Sequence, residues 1–336
     1  MKIFDCCIYF NELHLLQYRI AECYEYVDYF IIVSATQDHK GTPNSSLDLN
    51  LIDKIYHDKI IYKLIEFPCT IPNNIENFVK RTNDHINNYY IHWWKEYYQR
   101  ECIKDSLDEL ADDDDLCIIS DLDEICNYKL LLEYLKEFNL FDKLENHYNR
   151  TFCFNIHYQQ NNCWHCCSFS TPYRIIKDRN DPNSCLALIR FRSNKNIKGE
   201  TIENLSAYSL GQPYLYKDEP IFNHFNRFCI NGNVLKKEQV MSENYIDSRN
   251  IEDLLNIRNN FKKILLGNLG GKDNDSLNDN DFVKLKHVNF KFSDKLYQYF
   301  PFYFTTSIDE LHKIWNDLKD LNDEEFVKQV NAIFYK

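Results

Sequence analysis

Apolar positions come in short dense runs toward the amino terminus and thin out later in the chain. Residues 2–10, KIFDCCIYF, make one such run, compact enough for a buried strand and interrupted only by Asp5. The next segment, NELHLLQYRIAECYE, sets Leu13, Leu16, Ile20 and Tyr24 at helical spacing on one face. A second run, VDYFIIVSA at 27–35, predicts another strand. Strand, helix, strand is the opening of a parallel α/β sheet.

The pattern continues in kind. TQDHKGTPNSS, with Gly41 and Pro43, reads as a loop at the carboxyl end of the second strand, and KIIYKLIEF at 59–67 supplies a third. Residues 89–110 hold no Gly or Pro for over five turns and predict one long helix, on which Glu96 and Arg100 share a face. The acidic run Asp112 to Asp115 reads as a solvated turn after that helix. The run at 116–120 then predicts a strand that delivers Asp121, Asp123 and Glu124 to the carboxyl edge of the sheet, where open α/β sheets bind their ligands.

Farther on, 129–138 predicts a helix, while 150–158 and 172–177 predict strands. Ser307 with Glu310, and Asn322 with Glu325, have capping-box spacing and open two short closing helices. DNDSLNDND at 273–281 resembles a calcium loop but lacks the turn glycine and closing glutamate, so a polar surface loop is expected. Neither an internal repeat nor a long linker divides the chain.

Composition narrows the function classes. With 336 residues, 44% apolar and 27% charged, the chain can bury one enlarged catalytic-size domain. A formal net charge of -12 argues against nucleic acid as a partner, because phosphate contacts need a concentrated basic surface. Thirteen cysteines, several of them in predicted buried strands, suit reduced thiols better than a disulfide framework. CWHCC at 163–167 has one C-x-x-C spacing and no convincing second pair, so buried or incidental thiols are expected there rather than zinc. No run of 18 apolar residues and no leader cleavage site occur, so the expectation is a soluble, cytoplasmic protein, in a host cytoplasm if the source is viral.

The chemistry sits in IISDLDEI. Two aspartates one residue apart at a strand end can hold a divalent cation, since hard carboxylate oxygens suit Mg²⁺ or Mn²⁺. That cation would bind a nucleotide's diphosphate and neutralise charge as it leaves. The competing reading is a haloacid-dehalogenase-type phosphotransferase, but its DxD opens the domain and is followed by Thr or Val. Here three predicted strands come first and Ile125 holds the corresponding position.

FDCCIYFNELHLLQYRIAECYEYVDYFIIVSATQDHKG, KIIY, WWKEYYQRECI and IISDLDEI, in this order and spacing, resemble glycosyltransferase family 17, the β-1,4-N-acetylglucosaminyltransferase III type. The likeness is strong over 3–126 and traceable through CWHCCSFSTPYRIIK, IFNHFN and FVKLKHVNFKFSDKLYQYFP to about residue 301. It implies a GT-A (nucleotide-diphospho-sugar transferase) fold, a Rossmann-like mixed sheet with helices on both faces. The expected organisation is a nucleotide-sugar-binding half at 1–127, an acceptor-binding half at 128–301 and a helical extension at 302–336.

The resemblance also implies an inverting transfer from a nucleotide-sugar donor, UDP-GlcNAc by the likeness, to a glycan or glycoprotein acceptor, with Mn²⁺ or Mg²⁺ as cofactor. On this mapping Asp121, Asp123 and Glu124 are catalytic. Asn11, Glu12, Arg100 and Asp121 serve the donor, and Asp123 and His224 the metal. For Glu12 a helix N-terminal carboxylate, for Arg100 an ion pair with Glu96, and for His224 a hydrogen-bonded structural role stand beside these. Asp218 and Glu219 lie in the acceptor half as possible bases. Family members usually carry a Trp-His pair before a Gly, and NLSAYSLGQ at 204–212 has neither. A catalytically degenerate sugar- or nucleotide-binding protein is therefore the alternative.

Overall fold

The computed structural model describes residues 1–39, 41–73, 75, 94–153, 158–179, 181, 184–192, 208–210, 216–217, 219–226, 282–284, 293–299, 307–322, 325 and 329. Its first half follows the hydrophobic pattern. β1 (Ile3–Tyr9), α1 (Leu13–Cys23), β2 (Tyr29–Ala35) and β3 (Ile60–Ile65) come in turn, then α2 (Trp94–Glu101), α3 (Ile103–Leu110) and β4 (Leu116–Ile119). β1 lies between β2 and β4, with β3 outside β2, and all three pairings are parallel.

Side chains alternate across these strands, and both faces are covered. Cys7, Phe30, Ile32, Leu116 and Ile118 pack with Leu16 and Ile20 of α1, whereas Phe4, Cys6, Ile31, Val33, Cys117 and Ile119 pack with Ile103 and Leu107 of α3. Two-sided burial explains why the strands read as continuous apolar runs.

The second half makes the sheet mixed. β5 (Glu124–Cys126), α4 (Tyr128–Glu137), β6 (Glu145–Cys153), β7 (Tyr158–Pro172), α5 (Tyr173–Ile176), α6 (Leu186–Arg192), β8 (Tyr208–Leu210), β9 (Phe222–Asn226) and β10 (Phe282–Lys284) follow, with α7 (Asp294–Tyr299) and α8 (Ile308–Leu318) last. The order runs β3-β2-β1-β4-β7-β6-β9-β5, with β8 and β10 pairing to β7. β4–β7, β6–β7 and β5–β9 are antiparallel, and β6–β9 is parallel. Four strand-to-strand steps, about 19 Å of sheet, separate β4 from β5 along this path. Yet Ser120 Oγ, just past β4, donates to the Glu124 carbonyl of β5 at 3.0 Å. The sheet must therefore curl back on itself around the carboxylate turn.

Several expectations need correction. The long helix is two, joined at Cys102, where Asp105 N reaches only to the Cys102 carbonyl, an i−3 contact that tightens the turn. Its residues 89–93 lie outside the described ones. Residues 172–177 predict a strand, but Tyr173–Ile176 is a helical turn, because Tyr173 N and Arg174 N bond the Asp115 and Asp113 carbonyls and turn the chain after Pro172. The acidic turn is only partly solvated: Asp115 is buried and accepts from the backbone N–H groups of Lys2 and Asp112. β6 begins at Glu145, five residues earlier than the pattern suggests, since Asn146, His147 and Asn149 break the apolar signal. Both caps form as expected, with Glu310 N on Ser307 Oγ and Glu325 N on Asn322 Oδ1. The segment 273–281 lies outside the described residues.

The described cysteines are free thiols, six of them buried in or beside the sheet. Burial pushes the Cys7 thiol up to about 12 and Cys102 up to about 11, so neither supplies a thiolate at neutral pH. CWHCC runs within β7, and its side chains lie outside the described ones. Among the described residues no helix is long and apolar enough to cross a membrane.

His147 gives the fold a pH signature. Its Nε2 lies 2.8 Å from Ser170 Oγ, its ring stacks on Phe222, and burial holds its pKa down to about 3. The unfolded chain takes up this proton below ~6.5 and the native state does not, so stability is full above that pH. It is lost as pH falls toward 3, by at most ~1.4 kcal/mol per unit from this group. Denaturant midpoints should fall less steeply between pH 6.5 and 4.5 in His147→Gln than in wild type. Parallel slopes would rule the group out.

Candidate active site

β1 and β4 run side by side in parallel, so their carboxyl ends share one edge of the sheet. Asp121 follows β4 there, and Asn11 and Glu12 follow β1. Asn11 takes φ 54, a left-handed turn that asparagine tolerates, and its amide is tied to the loop after β2. Nδ2 donates to Asn44 Oδ1 at 2.7 Å, and Ser45 Oγ donates to Asn11 Oδ1 at 3.2 Å. Glu12 is the N-cap of α1 without a side-chain capping bond, and it is largely buried. Burial, with the Glu12 charge second, holds the Tyr9 phenol well above its usual range.

Asp121 is gripped from two sides. Arg100 Nη2 donates to Oδ1 at 2.8 Å, and Arg190 Nη2 donates to Oδ2. The same nitrogen lies 3.0 Å from Glu96 Oε1, which is the ion pair expected for Arg100. Arg100 is 1% exposed, and its Nε and Nη1 find no hydrogen-bond partner among the described residues. Buried donors of a cation left in this condition are costly unless a ligand or water meets them.

Glu124 is fully buried and its carboxylate is turned into the protein. Oε2 accepts from Asp121 N at 2.8 Å, Ser168 Oγ at 3.0 Å and Arg190 Nη1 at 3.0 Å, while Oε1 lies 3.3 Å from Arg190 Nη2. Glu124 is thus bonded to both Asp121 and its partner Arg190. The sequence reading missed Arg190 and Ser168. Arg190 stands in ALIRFR, where an arginine set directly after the apolar run Leu186–Ile189 is the signal that could have flagged it.

Asp123 faces a different partner. The antiparallel register of β5 with β9 sets Glu124 opposite His224, and Phe225 N donates to the Asp123 carbonyl at 2.7 Å. Phe222 and Phe225 are fully buried and fix β9 in the core. His224 Nε2 consequently lies 3.5 Å from Asp123 Oδ1, both side chains largely buried. The two residues named for a metal from opposite halves of the sequence meet here. Among the described residues no group of three His, Cys, Asp or Glu ligands gathers. Of the two possible bases, Asp218 lies outside the described residues, and Glu219 sits 3.8 Å from Arg150 Nη2.

The family model for glycosyltransferase family 17 matches residues 1–178, just over half the chain. No curated protein matches it.

Proposed function

The chain belongs to glycosyltransferase family 17, and from that premise we propose a metal-dependent, inverting transferase with a GT-A fold. It moves a sugar, N-acetylglucosamine on the family likeness, from a nucleotide-diphosphate donor to a glycan acceptor. The approach of Asp123 Oδ1 to His224 Nε2 at the sheet edge carries the reading. A carboxylate oxygen and an imidazole nitrogen, here 3.5 Å apart, suit Mn²⁺. A two-residue holding fits a cation whose remaining positions go to donor phosphate oxygens and water.

Such a cation would neutralise the charge that builds on the departing diphosphate. The protein's own groups prepare for the same event. Asp121, locked between Arg100 and Arg190, keeps one orientation. An inverting transfer also needs a base to take the acceptor's hydroxyl proton as its oxygen attacks the anomeric carbon.

The experiment is release of nucleoside diphosphate from a panel of nucleotide sugars with Mn²⁺ and no acceptor. Slow hydrolysis of UDP-GlcNAc above the other donors is expected. Silence across the panel would favour the second reading, a sugar- or nucleotide-binding protein without turnover, which the absent Trp-His pair in NLSAYSLGQ supports.

A further inference from the structure

Arg19 lies on α1, one turn beyond Leu15, and is 1% exposed. Its guanidinium spreads over the carboxylate turn from beneath. Nη1 donates to the carbonyls of Asp121 at 2.6 Å, Glu124 at 3.2 Å and Leu122 at 3.4 Å, and Nη2 donates to Ser120 Oγ at 2.8 Å. Four of the five residues from Ser120 to Glu124 therefore touch one side chain. Nε donates to Asp5 Oδ1 at 2.7 Å, and Tyr128 Oη donates to Asp5 Oδ2 at 2.7 Å. Asp5, the charge that interrupts the first apolar run, thus orients the guanidinium from the neighbouring strand.

We infer that Arg19 is a positioning residue for the Asp121–Asp123 turn, setting its backbone so that the two aspartates diverge toward different partners. Three carbonyl oxygens converging on one point repel one another; Nη1 meets all three, which leaves Nη2 and Nε of the same planar guanidinium for Ser120 and Asp5. The ion pair with Asp5 alone would need only one edge of that fork. A lysine could keep the Asp5 pair, but its single nitrogen cannot also span the turn. The role rests on the proposed transfer for its purpose, though not for its geometry.

The test compares wild type with Arg19→Lys and with the paired Asp5→Asn/Arg19→Gln, which removes both buried charges together. Amide exchange is followed in the peptide covering 116–126, with the β2 peptide as control. Mn²⁺ binding is followed with the metal alone, and donor turnover by nucleoside diphosphate release. Exchange at 120–124 should quicken about tenfold or more, as expected for losing charge-assisted hydrogen bonds, while β2 keeps its protection. Mn²⁺ binding should weaken, and kcat should fall more than KM rises. Should Arg19→Lys fail to fold, the paired variant gives the same reading. Exchange that rises equally in 116–126 and β2 in both variants would reduce Arg19 to a core ion pair and overturn the inference. A wild type that neither binds Mn²⁺ nor releases nucleoside diphosphate would sink the transferase reading instead, with the exchange result still deciding Arg19.

Discussion

Asp123→Asn is expected to lower donor turnover by ~10² or more, equivalent to about 2.7 kcal/mol of transition-state stabilisation, with little change in thermal midpoint. The substitution keeps the shape of the side chain and removes its charge. The backbone anchor, Phe225 N on the Asp123 carbonyl, does not involve the carboxylate and should persist. What is lost is the anionic partner of His224 and, on the proposed mechanism, a ligand of the cation. If Asp123 were only a structural partner of His224, the change should instead cost ~1 kcal/mol of stability and spare catalysis. Turnover and thermal midpoint measured together, with Mn²⁺ and with a chelator, separate the cases. Unchanged turnover in the variant, or full activity in the chelator, refutes the metal-bridged reading.

The second large effect falls on stability. Arg190→Met should destabilise the fold by ~3–5 kcal/mol, because it strands the fully buried Glu124 carboxylate without its cation. Ser168 and the Asp121 N–H would still donate to Glu124 but cannot offset its charge. Adding Glu124→Gln to Arg190→Met should recover part of the loss, since the uncompensated charge is then gone. Denaturant midpoints of the two single variants and the double variant give the coupling. Additive losses would mean that the two side chains do not act as a pair.

The apolar runs of β1, β2 and β4 were legible because burial on both faces leaves a strand few polar residues, and β3, an edge strand in which only Ile65 is buried, showed through its isoleucines. Polar strands were not. β6 opens on Glu145, Asn146 and His147, and its register depends on β7, with two shifts along that pairing, and on β9, which lies far along the chain. Tyr173–Ile176 looked like a strand because four residues cannot show a helical period, and the acidic turn that bends it is a tertiary partner. In the site, Asp121, Asp123 and Glu124 could be read from a strand end, and His224 from the family likeness. Their different duties could not, since Arg190, Ser168 and Arg19 reach them only through the fold. Arg19 was hidden by its helix, where one arginine among apolar positions passes for a surface residue.

The pairing of β5 with β9 has a consequence for the order of assembly. A nascent chain that has emerged only as far as residue 178 already holds Asp121, Asp123 and Glu124. It holds neither Arg190, which neutralises the first and third, nor His224, which faces the second. Until those later residues arrive, β5 lacks its partner β9, and of the three carboxylates only Asp121 has its arginine, Arg100, already in the chain. Completion of the carboxylate site should therefore be a late event of folding, and a fragment cut at residue 178, where the family model's match ends, should keep the early strands while leaving the site unbuilt.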